Sequence, residues 1–390
     1  MLGTTKRRAL WSAIGALSCM ALVAGASVAR ADESSGRWTG QVSLWGNYYW
    51  ETSTRVVAPS VAARITSPEG VDIRAEYLVD AITSASVAAG VITDIRFTEV
   101  RNQFSLGTGH EFDLGDTQLR LDLNTRVSHE PDYLATGVSM SGSLSMAERC
   151  SVLGWSLGYI HDDVGAVIRG GQPRVGDDGR DLSNRGRLGE LEGLNASVSF
   201  SQILSPVHTL SVGYDFVHNW GFLANPYRQV MMDGVLRPEQ HPGTRTRHSL
   251  YGRFAWYVPE SGTAFHLMYR AYVDDWDVAA LTPEVRVYQE LGSHATLRLR
   301  YRYYDQLQSY FWNRGDAFEG DTQLLTADPK MDDFDSHLFG VRALVRLGFL
   351  EGTFLDFMHE GNLQLNFDYW VQSSRFGNGV ISQVGVEVPF

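Results

Sequence analysis

Three arginines occupy alternate positions in the segment Leu297–Tyr304: Arg298, Arg300 and Arg302, with Leu299, Tyr301 and Tyr303 between and beside them. A guanidinium presents a rigid fork of donors that grips carboxylate or phosphate in two bonds at once and stacks on flat rings. Arg253, Arg270 and Arg286 stand at polar positions of three other alternating segments and extend the row. If these segments are strands, a spacing of two places each segment's arginines on one face. Such a stripe suits weak, repeated contacts with anionic or sugar solutes. A plainer reading is that the arginines pair with Asp122, Asp368, Glu284 and Glu290 and simply fill an interior.

The segment 219–248 is a second candidate. It holds Tyr227, Arg228, Arg237 and Glu239 around a short alternating stretch, Gln229 to Leu236. It could fold back as a constriction or stand out as a hairpin, and the residues do not choose. The segment 306–333 sets Tyr310, Phe311 and Trp312 before Asp316, Glu319, Asp321, Asp328, Asp332 and Asp333. Aromatics beside carboxylates suit sugar stacking or calcium, but no twelve-residue calcium loop is present. No metal site and no cofactor are expected. Nor is an enzyme: Gly137-Val138-Ser139-Met140-Ser141 approaches a nucleophile elbow and lacks its final glycine. Asp215 with His218, and Asp335 with His337, are spacings that arise by chance.

The elements that must position these residues are strands. Val71, Ile73, Ala75, Tyr77 and Val79 alternate with Asp72, Arg74, Glu76, Leu78 and Asp80. Leu119, Leu121, Leu123 and Val127 alternate with Arg120, Asp122, Asn124 and Arg126. Leu365, Phe367, Tyr369 and Val371 oppose Gln364, Asn366, Asp368 and Gln372; Val380, Val384, Val386, Val388 and Phe390 oppose Gln383 and Glu387. Period two marks a strand with unlike faces. A water-soluble sandwich alternates too. The densely charged polar faces, the aromatics near strand ends (Tyr48 and Trp50, Phe254 and Trp256) and the closing Phe390 favour a membrane barrel instead.

The spacing predicts an all-β fold, an antiparallel transmembrane β-barrel of about sixteen strands. They run over 38–50, 54–66, 70–80, 95–106, 117–128, 133–146, 149–161, 189–203, 206–217, 246–257, 262–275, 280–290, 293–305, 334–348, 361–373 and 379–390. Every second connection includes the long ones, 81–94, 162–188, 218–245 and 306–333, and the other set is short, which is the asymmetry of outer-membrane barrels. Gly348–Gly361 is long for its set and leaves room for an extra hairpin, hence eighteen strands.

Charge and processing agree. Lys6, Arg7 and Arg8, the apolar run Ala9–Val28 and Ala29-Arg30-Ala31 read as a secretory signal peptide over 1–31, leaving 32–390 as one barrel domain. An uncleaved anchor, or a lipoprotein built on Cys19, fits less well. Removing Lys6, Arg7, Arg8 and Arg30 leaves 29 basic and 45 acidic residues, a formal charge of −16. That balance argues against nucleic acid as a partner. Only Cys150 would remain, so no internal disulfide is possible. The expected surroundings are outer-membrane lipid and lipopolysaccharide.

The blocks TSTRVVAPSVAARITSP, YLVDAITSAS, NPYRQVMMDGVLRPEQHPGTRTRHSL, LRYRYY and TADPKMDDFDSHLFG resemble an uncharacterised proteobacterial family of outer-membrane barrels, a domain of unknown function. Its members are also similar to barrel components proposed for polysaccharide export in myxobacteria. The resemblance implies a barrel and, by analogy, a conduit that receives polysaccharide from a periplasmic polysaccharide-export protein. A general diffusion porin and a surface adhesion or structural barrel are the alternatives.

Overall fold

The computed structural model describes residues 37–52, 54–85, 96–166, 186–226, 228–313, 317–318 and 322–390. The expected signal peptide, Tyr227, Asp316, Glu319, Asp321 and the whole of the connections 86–95 and 167–185 lie outside them.

Sixteen antiparallel strands close into a barrel. In chain order they are β1 (Thr39–Glu51), β2 (Thr54–Thr66), β3 (Val71–Ala85), β4 (Arg96–Asp113), β5 (Gln118–His129), β6 (Tyr133–Met146), β7 (Ser151–Ala166), β8 (Gly186–Ser205), β9 (His208–Gly221), β12 (Thr244–Val258), β13 (Thr263–Asp274), β14 (Ala279–Leu291), β15 (Ala295–Gln306), β17 (Phe334–Arg346), β18 (Asn362–Gln372) and β19 (Gly379–Pro389). Three further strands, β10 (Gln229–Met232), β11 (Val235–Pro238) and β16 (Ala317–Phe318), form a separate small sheet in the order β11-β10-β16.

Each barrel strand pairs with its sequence neighbours in the barrel, and β1 pairs with β19 to close it, Leu44 opposite Val386. At that seam Gly40 and Phe390 exchange backbone hydrogen bonds of 2.7 and 2.8 Å. The Phe390 ring covers Gly40 so tightly that a Cβ there would collide with it.

The alternation assigns the two faces. Phe104, Leu123, Val138, Leu157, Val198, Leu250, Leu299, Phe339, Phe367 and Val384 are all exposed. Together they form an apolar surface running from strand to strand around the outside, far larger than a soluble monomer leaves uncovered. Trp50 lies exposed at one end of this surface and Trp256 at the other, as interfacial girdles require. Lipid covers such a belt, and the protein is an outer-membrane barrel. Leu365 and Val384 are cross-strand neighbours on one outer face, 43% and 49% exposed, rather than opposite halves of a sandwich core.

The connections are unequal. At one end of the barrel the turns between strands are short except for residues 347–361; at the other, the strand ends Ala85 and Arg96, Ala166 and Gly186, Gly221 and Thr244, and Gln306 and Phe334 are far apart in sequence. Strand β8 has 20 residues, against about 9–11 needed to cross a membrane at a tilt. Its excess, which includes Glu190 and Glu192, sits on the side of the long connections. The eighteen-strand expectation is overturned: Gly348–Gly361 holds no hairpin but two single turns of 3-10 helix, Leu347–Leu350 and Asp356–Met358. Hydrogen bonds within this loop, such as Gly352 N to Asp356 Oδ1 at 2.7 Å, take the place of ladder pairing.

Candidate functional site: the lumen and its outer gate

The face opposite the lipid belt carries the charges. Asp72 and Arg74 lie on β3, Arg120 and Asp122 on β5, with β4 between them. Arg120 nonetheless reaches Asp72 at 2.7 Å, and Arg74 pairs with Asp122. Pairs that skip a strand require side chains on the concave face and a gap in the strand they cross. Gly107 and Gly109 provide it: a Cβ at Gly109 would collide with Asp122, and one at Gly107 with Asn124. The device recurs at Gly340 on β17, where a Cβ would strike Asp368; Arg300 on β15 approaches Asp368 on β18 across it at 3.8 Å.

The predicted pore-lining residues all fall on this inner face, but their partners divide them. Glu284 serves two arginines, Arg286 and Arg300, the second at 2.9 Å. Arg270 pairs with Asp215 at 2.6 Å. Arg253 donates only a long bond of 3.4 Å to Ser211. Arg298 is buried and donates to Asn366 at 2.7 Å; its Nε lacks a partner, as does that of Arg302. Asp122 sits on the far wall with Arg74 and Arg120, away from the row on β15. Glu290, an expected partner, instead lies at the turn beside Gly262. The plainer reading therefore accounts for Arg270, Arg286 and Arg300 but leaves Arg253, Arg298 and Arg302 without a carboxylate in ion-pair contact, although Glu284 lies opposite Arg302 and the charge of Asp368 reaches Arg298.

Sequence reasoning left out the cations Arg245, Arg247 and Arg342. Arg245 binds Asp274 at 2.5 Å and lies over the Trp276 ring at 4.2 Å. Arg247 donates to Asn219 at 3.0 Å. Each stands at an alternate position facing the same way as its neighbours, and that alternation was the available signal.

The two longest connections fold against each other at one mouth. The small sheet buries Val230, Met232, Phe318, Leu325 and Ala327, the hydrophobic cluster found among the described residues. Of the predicted constriction residues, Arg228 and Glu239 are buried and Arg237 is exposed on β11; Tyr227 is not among the described residues. Arg228 pairs with Asp328 at 2.6 Å and approaches Glu239 at 3.7 Å. Glu239 also accepts from Asn225 N and Thr326 Oγ1, both at 2.8 Å, and faces His241 Nε2 at 3.3 Å. Burial alone would raise the Glu239 pKa. The nearby imidazole of His241, the charge of Arg228 and the Asn225 N–H outweigh it and hold the carboxyl below its usual value.

Fold-back and hairpin are both realised. The hairpin β10–β11 is latched to the 322–333 segment, and the pair lies over inward-facing wall residues. A cavity of about 520 Å³ remains beneath it, lined by Ile160, Asp162, Asn219, Arg247, Pro226 and Met331 among others. Phe311 and Trp312, expected as a sugar platform, are buried; Phe311 meets Trp276 edge to face at 5.0 Å. Their apolar area holds the gate together, while Tyr310 stays exposed. At the rim Glu130 is raised above its usual pKa, by burial first and by Asp132 and Asp80 next, against the opposing charge of Arg101.

Residues 92–386 match the family described as "Protein of unknown function (DUF3570)", so the chain belongs to that family. No curated relative matches it. Among solved structures it is similar to a BenF-like porin from Pseudomonas fluorescens Pf-5, at 9% identity and a TM-score of 0.46 over 90% of this chain and 98% of the other. It is similar to Pseudomonas aeruginosa OprD at 9% identity and 0.42, over 92% and 98%. Similarity to the P. aeruginosa ferric enterobactin receptor PfeA, at 12% and 0.46, spans 87% of this chain and 54% of that one. At such identities the likeness is one of barrel shape.

Proposed function

We propose that this member of the DUF3570 family is a passive diffusion channel of the outer membrane for small hydrophilic solutes, narrowed at one mouth by its own loops. One observation carries the reading: a closed sixteen-strand wall, apolar outside and lined with charge inside, is capped at one end by the latched 222–243 and 307–333 connections. The charged lining keeps the interior wet, and a path for water is a path for solutes that shed little hydration on entry. The cap limits their size.

Reconstitution in planar bilayers tests this. The purified protein is expected to give a steady ohmic conductance, and replacing residues 226–240 with a short Gly/Ser linker should raise it several-fold. Folded protein that conducts nothing with or without the hairpin would overturn the reading.

A second reading, export of a polysaccharide received from a periplasmic protein, draws on one feature. The ordered 347–361 loop, on the side of the short turns, exposes Phe349, Phe354 and Phe357, a surface another protein can cover. It accounts less well for the inward-folded cap, which stands in the way of a polymer. Gene deletion separates the two: loss of a surface polysaccharide supports export, and unchanged polysaccharide with reduced solute uptake supports diffusion.

A further inference from the structure

On neighbouring strands of the inner wall, register places Arg64 opposite Arg74, a pair answered by Asp72 and Asp122, and sets two further pairs of arginines directly opposite each other. Arg286 on β14 faces Arg300 on β15, and Arg298 on β15 faces Arg342 on β17. Like charges in directly opposed positions destabilise a sheet. The first pair is neutralised from within the protein, because Glu284 lies between the two guanidinium groups and binds both. The second pair has no carboxylate bonded to it, although the charge of Asp368 acts on Arg298 from nearby. Arg298 donates to the Asn366 amide oxygen and Arg342 to that of Gln364, both neutral acceptors, and Arg298 Nε has no acceptor. Arg298 is only 8% exposed, so water offsets little of the repulsion.

A cavity of about 430 Å³ opens beside this pair. Its lining brings together strands on both sides of the β1–β19 seam: Arg298 and Arg342 with Gln364 and Asn366 from one side, Trp45 and Asn47 from the other. Gln383 donates to Asn47 Oδ1 at 2.8 Å, and Asn366 donates to Gln383 Oε1 at 3.2 Å. This chain of carboxamides retains donors and acceptors that hydroxyl groups can use. The Trp45 ring lies against Gly385, held flat by the missing side chain there, and such a ring takes the C–H face of a sugar. Glu76 and Asp368 also line the cavity. Asp368 accepts from Asn366 at 2.9 Å and faces Arg300 through Oδ2, while its Oδ1 has no partner and would repel a carboxylate placed next to it.

We infer that this cavity is a binding site for a sugar acid, its carboxylate seated on Arg298 and Arg342 where Glu284 sits in the neighbouring pair, and its hydroxyls read by the carboxamides and Trp45. The inference rests on the reading of the lumen as a solute path and gives that path a substrate class. In a chain with an excess of acidic residues it also makes this stretch of the wall selective for anions.

Calorimetry on the detergent-solubilised full chain reads the site without requiring conduction. D-glucuronate is expected to bind saturably, and D-glucose, acetate and inorganic phosphate at least tenfold more weakly. The double variant Arg298→Gln with Arg342→Gln is expected to lose at least tenfold in glucuronate affinity, about 1.4 kcal/mol. Its folding is checked by the shift between heated and unheated samples on SDS gels. Arg64→Gln, on the opposed pair held by Asp72 and Asp122, is the comparison and should change affinity little. No glucuronate binding overturns the inference. So does equal binding of glucose, which removes the arginines from recognition, or of acetate or phosphate, which removes the sugar. Glucuronate binding without conductance would overturn the channel and leave the site; conductance without binding would do the reverse.

Discussion

At the scale of single residues, the governing fact is how each buried charge is neutralised. Glu239 joins the two long connections through Arg228, Thr326 and Asn225. Its folded pKa lies below the ordinary value near 4.5. A depressed carboxyl contributes stability above its unfolded pKa and loses that contribution as pH falls through the lowered folded value. The gate is therefore expected to hold unchanged from neutrality down to the ordinary glutamate range and to loosen below it, seen as rising conductance or proteolysis near residues 225–240. Glu239→Gln should be looser already at pH 7, and a gate as tight in that variant as in the wild type would refute the role of this charge. Arg228→Ala leaves Glu239 and Asp328 buried beside no guanidinium. The expected loss is about 3–5 kcal/mol of gate docking, measured by protection of the β10–β11 amides from hydrogen exchange.

Inner-face glycines matter in the same way. Gly340→Val would place a branched side chain where Arg300 and Asp368 approach each other. It is expected to destabilise the barrel by about 1–3 kcal/mol through overpacking, read from the midpoint of urea unfolding in lipid vesicles. Gly348, with open space around its Cβ position, should tolerate alanine.

At the scale of elements, barrel and gate are stabilised differently. The strands hold together through the closed hydrogen-bond ladder that a membrane demands. The small sheet holds through a miniature dry core and one buried ion network. Met232→Ala should cost about 2–5 kcal/mol locally. The cost is expected to fall on the gate alone: greater protease sensitivity at 222–243, with unfolding of the barrel unchanged. Coupled loss of both would show that the gate is part of the barrel's folding unit.

For the molecule as a whole, the lipid belt is the decisive feature. Phe367 lies mid-strand on β18 and is 52% exposed. Phe367→Arg is expected to cost about 2–4 kcal/mol in a bilayer, whereas a charge added to the lumen wall should alter ion selectivity with little effect on stability.

What the sequence determined by itself was the wall. Period-two alternation is a local property, so Thr54–Thr66 and Tyr133–Met146 were placed to the residue, and the inner face that carries Arg298, Arg300 and Arg302 followed from parity alone. Strand ends beyond the membrane were not legible: β4 runs to Asp113 rather than to 106, because its last residues continue to pair after the clean alternation stops. The tertiary structure alone decided which charges meet. Arg120 with Asp72, Arg300 with Asp368 and Arg228 with Asp328 are separated by 48 to 100 residues and depend on barrel closure, on glycines in the strand they cross, or on two loops docking. Alternation fixes the direction a side chain takes but carries no information about what waits there, and for this chain the pair Arg298–Arg342, bonded to carboxamides rather than carboxylates, exists only once β15 and β17 lie side by side.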